Sequence, residues 1–181
     1  KNALKSHPEN IRARLLLARL SLRAGDAKLA EKELELAADA GAAAHDTAEL
    51  WAETQLALGR SRELLEQLAD GIAGLTPVQI SVYRGEAHLE LKEFEQALES
   101  FESALANDAN SVRALIGAAQ VHANAGKLDE ALGMLQRAVS VDSTDARAWW
   151  LIGNVLLRQG DLPKASEAYE RALQEAPGSL S

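Results

Sequence analysis

The sequence predicts an all-α fold, a solenoid of stacked antiparallel helix pairs. Three observations carry this expectation. The same pattern restarts at Ile11, His45, Val78, Val112 and Ala146, at spacings of 34, 33, 34 and 34 residues. Ala and Leu dominate while aromatics make up 4 % of the chain, and these residues enter helices at little entropic cost. A turn residue recurs inside the repeat: Gly25, Gly59, Gly126 and Gly160, with Lys92 replacing it once. A period of this length marks an array whose units bury their apolar faces on one another.

Each unit reads in the same order. A small residue, Ala18, Gly85, Ala119 or Gly153, sits in the first helix, and after the turn come Ala30, Ala97, Ala131 or Ala165. Next come Leu34, Phe101, Leu135 or Tyr169, and then Ala37, Ala104, Ala138 or Ala172. The small residues let helices approach closely, and Phe101 or Tyr169 fills the space between them. The turn glycines suit the left-handed position that ends the first helix. Asp26 and Asp161 follow directly and are expected to cap the second helix. Thr76-Pro77 reads as an N-cap followed by proline at the first helical position.

The predicted boundaries are a tail of a preceding repeat at 1–10, then repeats at 11–44, 45–77, 78–111, 112–145 and 146–181. Ala3 and Pro8 sit where the closing Ala and Pro of an earlier repeat would fall, and Pro177-Gly178-Ser179 leads toward another. The chain is therefore expected to be a piece of a longer array. The second repeat is degenerate: Gln55 replaces an aromatic, Leu64 the small Ala and Gly71 the closing Ala. Gly71 and Gly74 should end its second helix early. Drift tolerated by packing and a local change of superhelical angle both fit that departure.

This pattern resembles the tetratricopeptide repeat, with its W-x2-L-G-x2-Y stretch, glycine turn, A-x3-F-x2-A stretch and closing Pro. The last repeat matches it best, through Trp149, Ile152, Gly153, Leu156, Gly160, Ala165, Tyr169, Ala172 and Pro177. The resemblance covers nearly the whole chain and implies a right-handed superhelix with a concave groove lined by the first helices. Residues 2, 5, 9, 12 and 13 of each repeat would face that groove, as their steps of 3 and 4 make one helical stripe. They are Arg12, Leu15, Arg19, Leu22 and Arg23; Asp46, Glu49, Glu53, Leu56 and Ala57; Gln79, Val82, Glu86, Leu89 and Glu90; Arg113, Ile116, Gln120, Ala123 and Asn124; and Arg147, Trp150, Asn154, Leu157 and Arg158. The groove is expected to run basic, acidic, then basic, with an apolar strip between charged margins. That surface suits an amphipathic helix or an extended peptide, with Trp150 as the anchor. The same side chains would also serve if they only packed on neighbouring repeats or solvated the face. A subset of the family clamps chaperone C-termini with Lys and Asn in the groove; only Asn154 fits part of that clamp.

The remaining properties exclude other functions. The formal charge of −8 disfavours nucleic acid, whose binders displace phosphate counterions with positive charge. No apolar run is long enough to span a membrane. With no cysteine, thiol chemistry and disulfides are absent. There is no phosphate loop, zinc-protease motif or calcium loop, so no enzyme activity, cofactor or metal is expected. His7 and His45 read as solvated. His88 and His122 share a repeat position and read as packing residues, with a metal held beside Glu86 and Glu90 as the alternative. The carboxylate pair Glu31/Glu35 reads as a solvated helix face without a pocket.

A narrower resemblance lies in residues 2–18, in Ala24-Gly-Asp-Ala-Lys-Leu-Ala-Glu-Lys-Glu-Leu, in Ala40-Gly-Ala and in Gly59-Arg-Ser-Arg-Glu-Leu-Leu. These are similar to the tetratricopeptide lipoproteins of the PEP-CTERM/exosortase system. That resemblance implies a longer exported protein tethered by an N-terminal lipid, in the periplasm or at the outer membrane, supporting protein sorting or exopolysaccharide assembly. Without it, the composition suits cytoplasm and periplasm equally. The expected role is a non-catalytic scaffold for a protein or peptide. The alternatives are a structural spacer that self-associates through uncapped ends and a chaperone-tail adaptor.

Overall fold

The structure, a computed structural model, describes residues 10–175. His7, Pro177 and nearly all of the expected preceding repeat tail lie outside the described residues. Ten α-helices, and no strands, occur among the described residues. They are α1 (Ile11–Arg23), α2 (Ala27–Asp39), α3 (Ala44–Ala57), α4 (Ser61–Ala69), α5 (Pro77–Glu90), α6 (Phe94–Asn107), α7 (Val112–Asn124), α8 (Leu128–Val141), α9 (Ala146–Gln159) and α10 (Leu162–Glu175).

Local chemistry sets the helix ends. After α1, the Gly25 N–H donates to the Leu22 carbonyl at 3.0 Å and the Asp26 N–H to the Ser21 carbonyl at 2.8 Å. This paired closure needs a left-handed residue at Gly25, whose φ is +77°, and it satisfies carbonyls that the helix end would leave bare. The same closure recurs after α3, α7 and α9. Lys92 adopts φ +61° at the corresponding turn, in the same left-handed region as the glycines. Asp26 accepts from the Leu29 N–H at 3.0 Å, and Asp161 from the Lys164 N–H at 3.3 Å. Thr76 caps α5 in a reciprocal box with Gln79, and Pro77 opens the helix. These are the caps expected from the sequence. The early stop in the second repeat is also present, since α4 has nine residues against thirteen in α2.

The chain divides into two compact units, 1–91 and 92–181. In the first, Ala18, Ala30, Leu34 and Leu50 form one apolar cluster, and Ala52, Leu64, Leu68, Tyr83 and Ala87 form another. Leu64, which stands where other repeats carry Ala, is fully buried. Arg14 of α1 and Glu33 of α2 form an ion pair at 2.7 Å with side chains 12 % and 9 % exposed. In the second unit the core runs through Leu115, Ile116, Leu135, Ile152 and Leu156. Phe101 is fully buried there, its ring tip against Gly117, where an added Cβ would lie 2.2 Å from the ring. Tyr169 covers Gly153 in the same way.

Candidate functional site

The first helices of the repeats are α1, α3, α5, α7 and α9. In unit 1, Arg12, Arg19 and Arg23 are exposed on α1, and Asp46 and Glu49 are exposed on α3. Arg19, Asp46, Glu49 and Glu53 converge with His45 and Leu50 around a polar pocket of about 390 Å³. The residues meet because Asp46, Glu49, Leu50 and Glu53 fall on one stripe of α3. The Gln79 amide of α5 hydrogen-bonds Glu49, and the Tyr83 hydroxyl donates to the Glu49 carbonyl at 3.3 Å. Glu90 is directed elsewhere, accepting from the buried Ser61 hydroxyl at 2.5 Å, which ties the end of α5 to the start of α4. Glu86 is half-buried on α5.

In unit 2, the corresponding stripe bridges α7 and α9. Arg147 donates to Gln120 at 3.3 Å, and Arg158 donates to the Ala123 carbonyl at 2.7 Å. Arg158 thereby caps the carbonyl end of α7, where a cation also complements the helix dipole. Asn154 accepts from the Tyr169 hydroxyl at 2.8 Å. Asn124 is exposed and Arg113 half-buried. Between Arg147 and Arg158, Trp150 and Leu157 stand out at 43 % and 49 % exposure.

The expected apolar strip is narrower than the sequence implied. Val82 and Ile116 are buried, and Leu15, Leu22, Leu56, Leu89 and Ala123 are half-buried. The cause is packing inside each unit. Leu15 and Leu22 pack on the Ala18 cluster, Leu56 on the Leu64 cluster, and Ile116 and Ala123 on the unit 2 core. Among the described residues, only α9 offers large apolar side chains from this stripe to solvent.

Glu35 is exposed, as a solvated face requires, but the expectation that Glu31 and Glu35 lack a pocket is corrected. Glu31 binds the Arg60 guanidinium, and both glutamates line a cleft beside Trp51. Neither feature is visible locally, because Arg60 lies 29 residues from Glu31. The Arg14–Glu33 pair was missed for the same reason. His45 is exposed and 3.3 Å from Asp46, while His88 and His122 are half-buried in different units. Among the described residues, no three His, Asp or Glu side chains gather as a metal would require. No helix among them is long and apolar enough to cross a membrane.

The sequence profile of the tetratricopeptide repeat matches residues 1–45, 50–112, 82–140 and 116–179. The chain belongs to the tetratricopeptide repeat family. Its fold is that of TTC0263, a TPR protein of Thermus thermophilus, at TM-score 0.80 and 22 % identity over 94 % of this chain and 93 % of that one. YrrB, described as a TPR protein with an unusual peptide-binding site, superposes at TM-score 0.60 and 19 % identity over 99 % of this chain and 93 % of its own. The general transcriptional corepressor trfA of Dictyostelium discoideum is 33 % identical over 85 residues, 47 % of this chain. The tetratricopeptide array here spans 6 %, 9 % and 11 % of the length of the curated relatives it matches.

Proposed function

We propose that this tetratricopeptide array is a non-catalytic scaffold that holds a partner protein or peptide on the first-helix faces of its units. One observation carries the reading: Trp150 and Leu157 stay exposed on α9 while Arg147 and Arg158, which flank them, are tied to α7. Ordered polar groups around an exposed aromatic are what a binding anchor requires, since large aromatics contribute most when their surroundings exclude water. In unit 1 the pocket of Arg19, Glu49 and Glu53 offers the opposite balance of charge. An apolar anchor flanked by acidic groups would suit the unit 2 face, and basic groups the unit 1 pocket. The residues assigned to binding are Arg12, Arg19, Arg23, Glu49, Glu53, Glu86, Glu90, Arg113, Gln120, Asn124, Arg147, Trp150, Asn154 and Arg158. Of these, Glu90 and Asn154 also hold their own helices in place.

The narrower resemblance of residues 2–18 and of the Gly59–Leu65 stretch to the PEP-CTERM lipoproteins supports a bacterial envelope setting for this partner, in protein sorting or exopolysaccharide assembly. A second reading, a self-associating spacer, draws on different residues. Leu16 and Leu20 are exposed on α1, as are Leu162 and Leu173 on α10.

The test is affinity capture from source-cell extract with the natural chain and with a variant carrying Arg19→Glu, Glu53→Lys and Trp150→Ala. A partner kept by the first and lost by the second, at equal helicity, supports the scaffold reading. Identical capture by both, with a stable oligomer in sedimentation that Leu16→Glu dissociates, overturns it in favour of the spacer.

A further inference from the structure

The degenerate second repeat creates a cleft that the family pattern does not describe. Helix α4 stops at Ala69, and Gly71 and Gly74 then take φ of +81° and +96°. The chain crosses residues 70–76 as a loop where other repeats continue as helix. Gly74 fixes that loop, because its backbone lies so close to the start of α3 that an added Cβ would sit 2.6 Å from the Ala44 carbonyl group. What remains uncovered between α2, α3 and the loop is a cleft of about 300 Å³. Leu34, Ala38, Trp51 and Ile72 give it apolar walls, and Glu31 and Glu35 stand beside them. It shares no residue with the pocket around Arg19 and Glu53. On α3 the two use opposite sides, Thr47, Ala48 and Trp51 against Asp46, Glu49, Leu50 and Glu53.

The charge balance inside the cleft selects the occupant. Glu31 is already held by Arg60. Glu35 is exposed and meets no cation among the described residues, although the exposed Lys32 lies one turn away on α2. A group with an aliphatic stem and a cationic head fits this arrangement. Its stem would lie along Leu34 and Ile72 while its head met the Glu35 carboxylate and the Trp51 ring. The volume is at the lower end for ligand pockets, enough for one long side chain and an apolar neighbour. The chain's net charge of −8 also favours a basic ligand. A guanidinium answers both wall types better than an ammonium, because it stacks flat on an indole and meets a carboxylate with two donors.

We propose that the cleft between α2, α3 and the 70–76 loop is a second docking site, taking an arginine side chain next to an apolar residue of a partner segment.

The experiment is an NMR titration of the whole chain, uniformly labelled with nitrogen-15, against acetyl-Leu-Arg-Leu-amide and its citrulline and lysine counterparts. The arginine peptide should shift the Trp51 indole N–H and the amides of Thr47 and Ala73, and bind about tenfold tighter than the citrulline peptide. Glu35→Lys reverses the rim charge at an exposed helical position, and Ala38→Leu fills the cleft with a good helix former. Each should abolish the Trp51 shift at unchanged helicity. The variant carrying Arg19→Glu, Glu53→Lys and Trp150→Ala should retain it, which separates this site from the scaffold faces. Equal affinity for citrulline, tighter binding of the lysine analogue, shifts centred on Arg19 and Glu53, or no shift up to the solubility limit would each overturn the proposal.

Discussion

Arg14 and Glu33 join the two helices of the first repeat through a charge-assisted hydrogen bond of 2.7 Å, with side chains 12 % and 9 % exposed. The Arg14 Nε is buried with no hydrogen-bond partner among the described residues. Such a pair gains little net energy, because desolvation of both ions offsets much of their attraction. Removing one partner leaves the other charge buried and uncompensated. Arg14→Met is therefore expected to destabilise unit 1 by about 3 kcal/mol, the low end of the range for buried pairs, since each group keeps some contact with water. Glu33→Leu alone should cost a similar amount. The double variant should return to within about 1 kcal/mol of the natural chain, because apolar residues of similar volume replace the pair without desolvation.

Global unfolding is a poor assay, as repeat arrays unfold unit by unit. Native-state hydrogen exchange reads α1 and α2 directly. Each single variant should lower protection there by about two powers of ten and leave α8 and α9 unchanged. A coupling energy below about 0.5 kcal/mol, the figure for an exposed pair, would refute the reasoning. So would a double variant as unstable as either single one.

Four further outcomes follow from individual positions. Lys92→Gly relieves a left-handed residue that costs about 1–2 kcal/mol, against about 0.5–1 kcal/mol of added unfolded-state entropy, so the melting temperature should rise; a fall counts against strain at φ +61°. Gly117→Ala should destabilise unit 2 by about 1 kcal/mol net, with the overpacked Phe101 ring outweighing the gain in helix propensity; a more stable variant would show that the ring yields. Thr76→Ala should cost about 1 kcal/mol of α5 stability by removing its reciprocal cap, read as faster exchange at the first α5 amides. Hydrogen bonds from the Lys164 side chain and backbone hold the Asp161 carboxyl below its ordinary 3.8, so its stabilisation of α10 is fully present above that value and is lost as pH falls through the lower folded one; a carboxyl-carbon titration with its midpoint at or above 3.8 would contradict this.

The sequence was most legible where the determining interaction spans only a few residues. Gly25 with Asp26, Thr76 with Pro77, and Gly71 with Gly74 set helix ends within one turn of themselves, and the structure has those ends. The period was legible because every repeat must place small residues at the same close approaches, as at Ala18, Ala119 and Gly153. The departures came from pairings between distant residues. Val82 and Ile116 follow the groove stripe by spacing, yet they are buried, since spacing gives a direction on one helix and not the height of its neighbours. Arg60 reaches Glu31, and Arg14 reaches Glu33, only because side-chain lengths bridge particular helix pairs.

The same distinction separates the two candidate surfaces. The stripe with Trp150 and Leu157 can be read from the repeat, because position within the repeat sets the face. The cleft beside Trp51 cannot, because it exists where the repeat fails: α4 is short, a glycine loop replaces its last turn, and Glu35 is left beside apolar walls. An array of near-identical units can present the same face many times. What distinguishes one such array from another is therefore carried by its irregular repeat, and in this chain that repeat is the second.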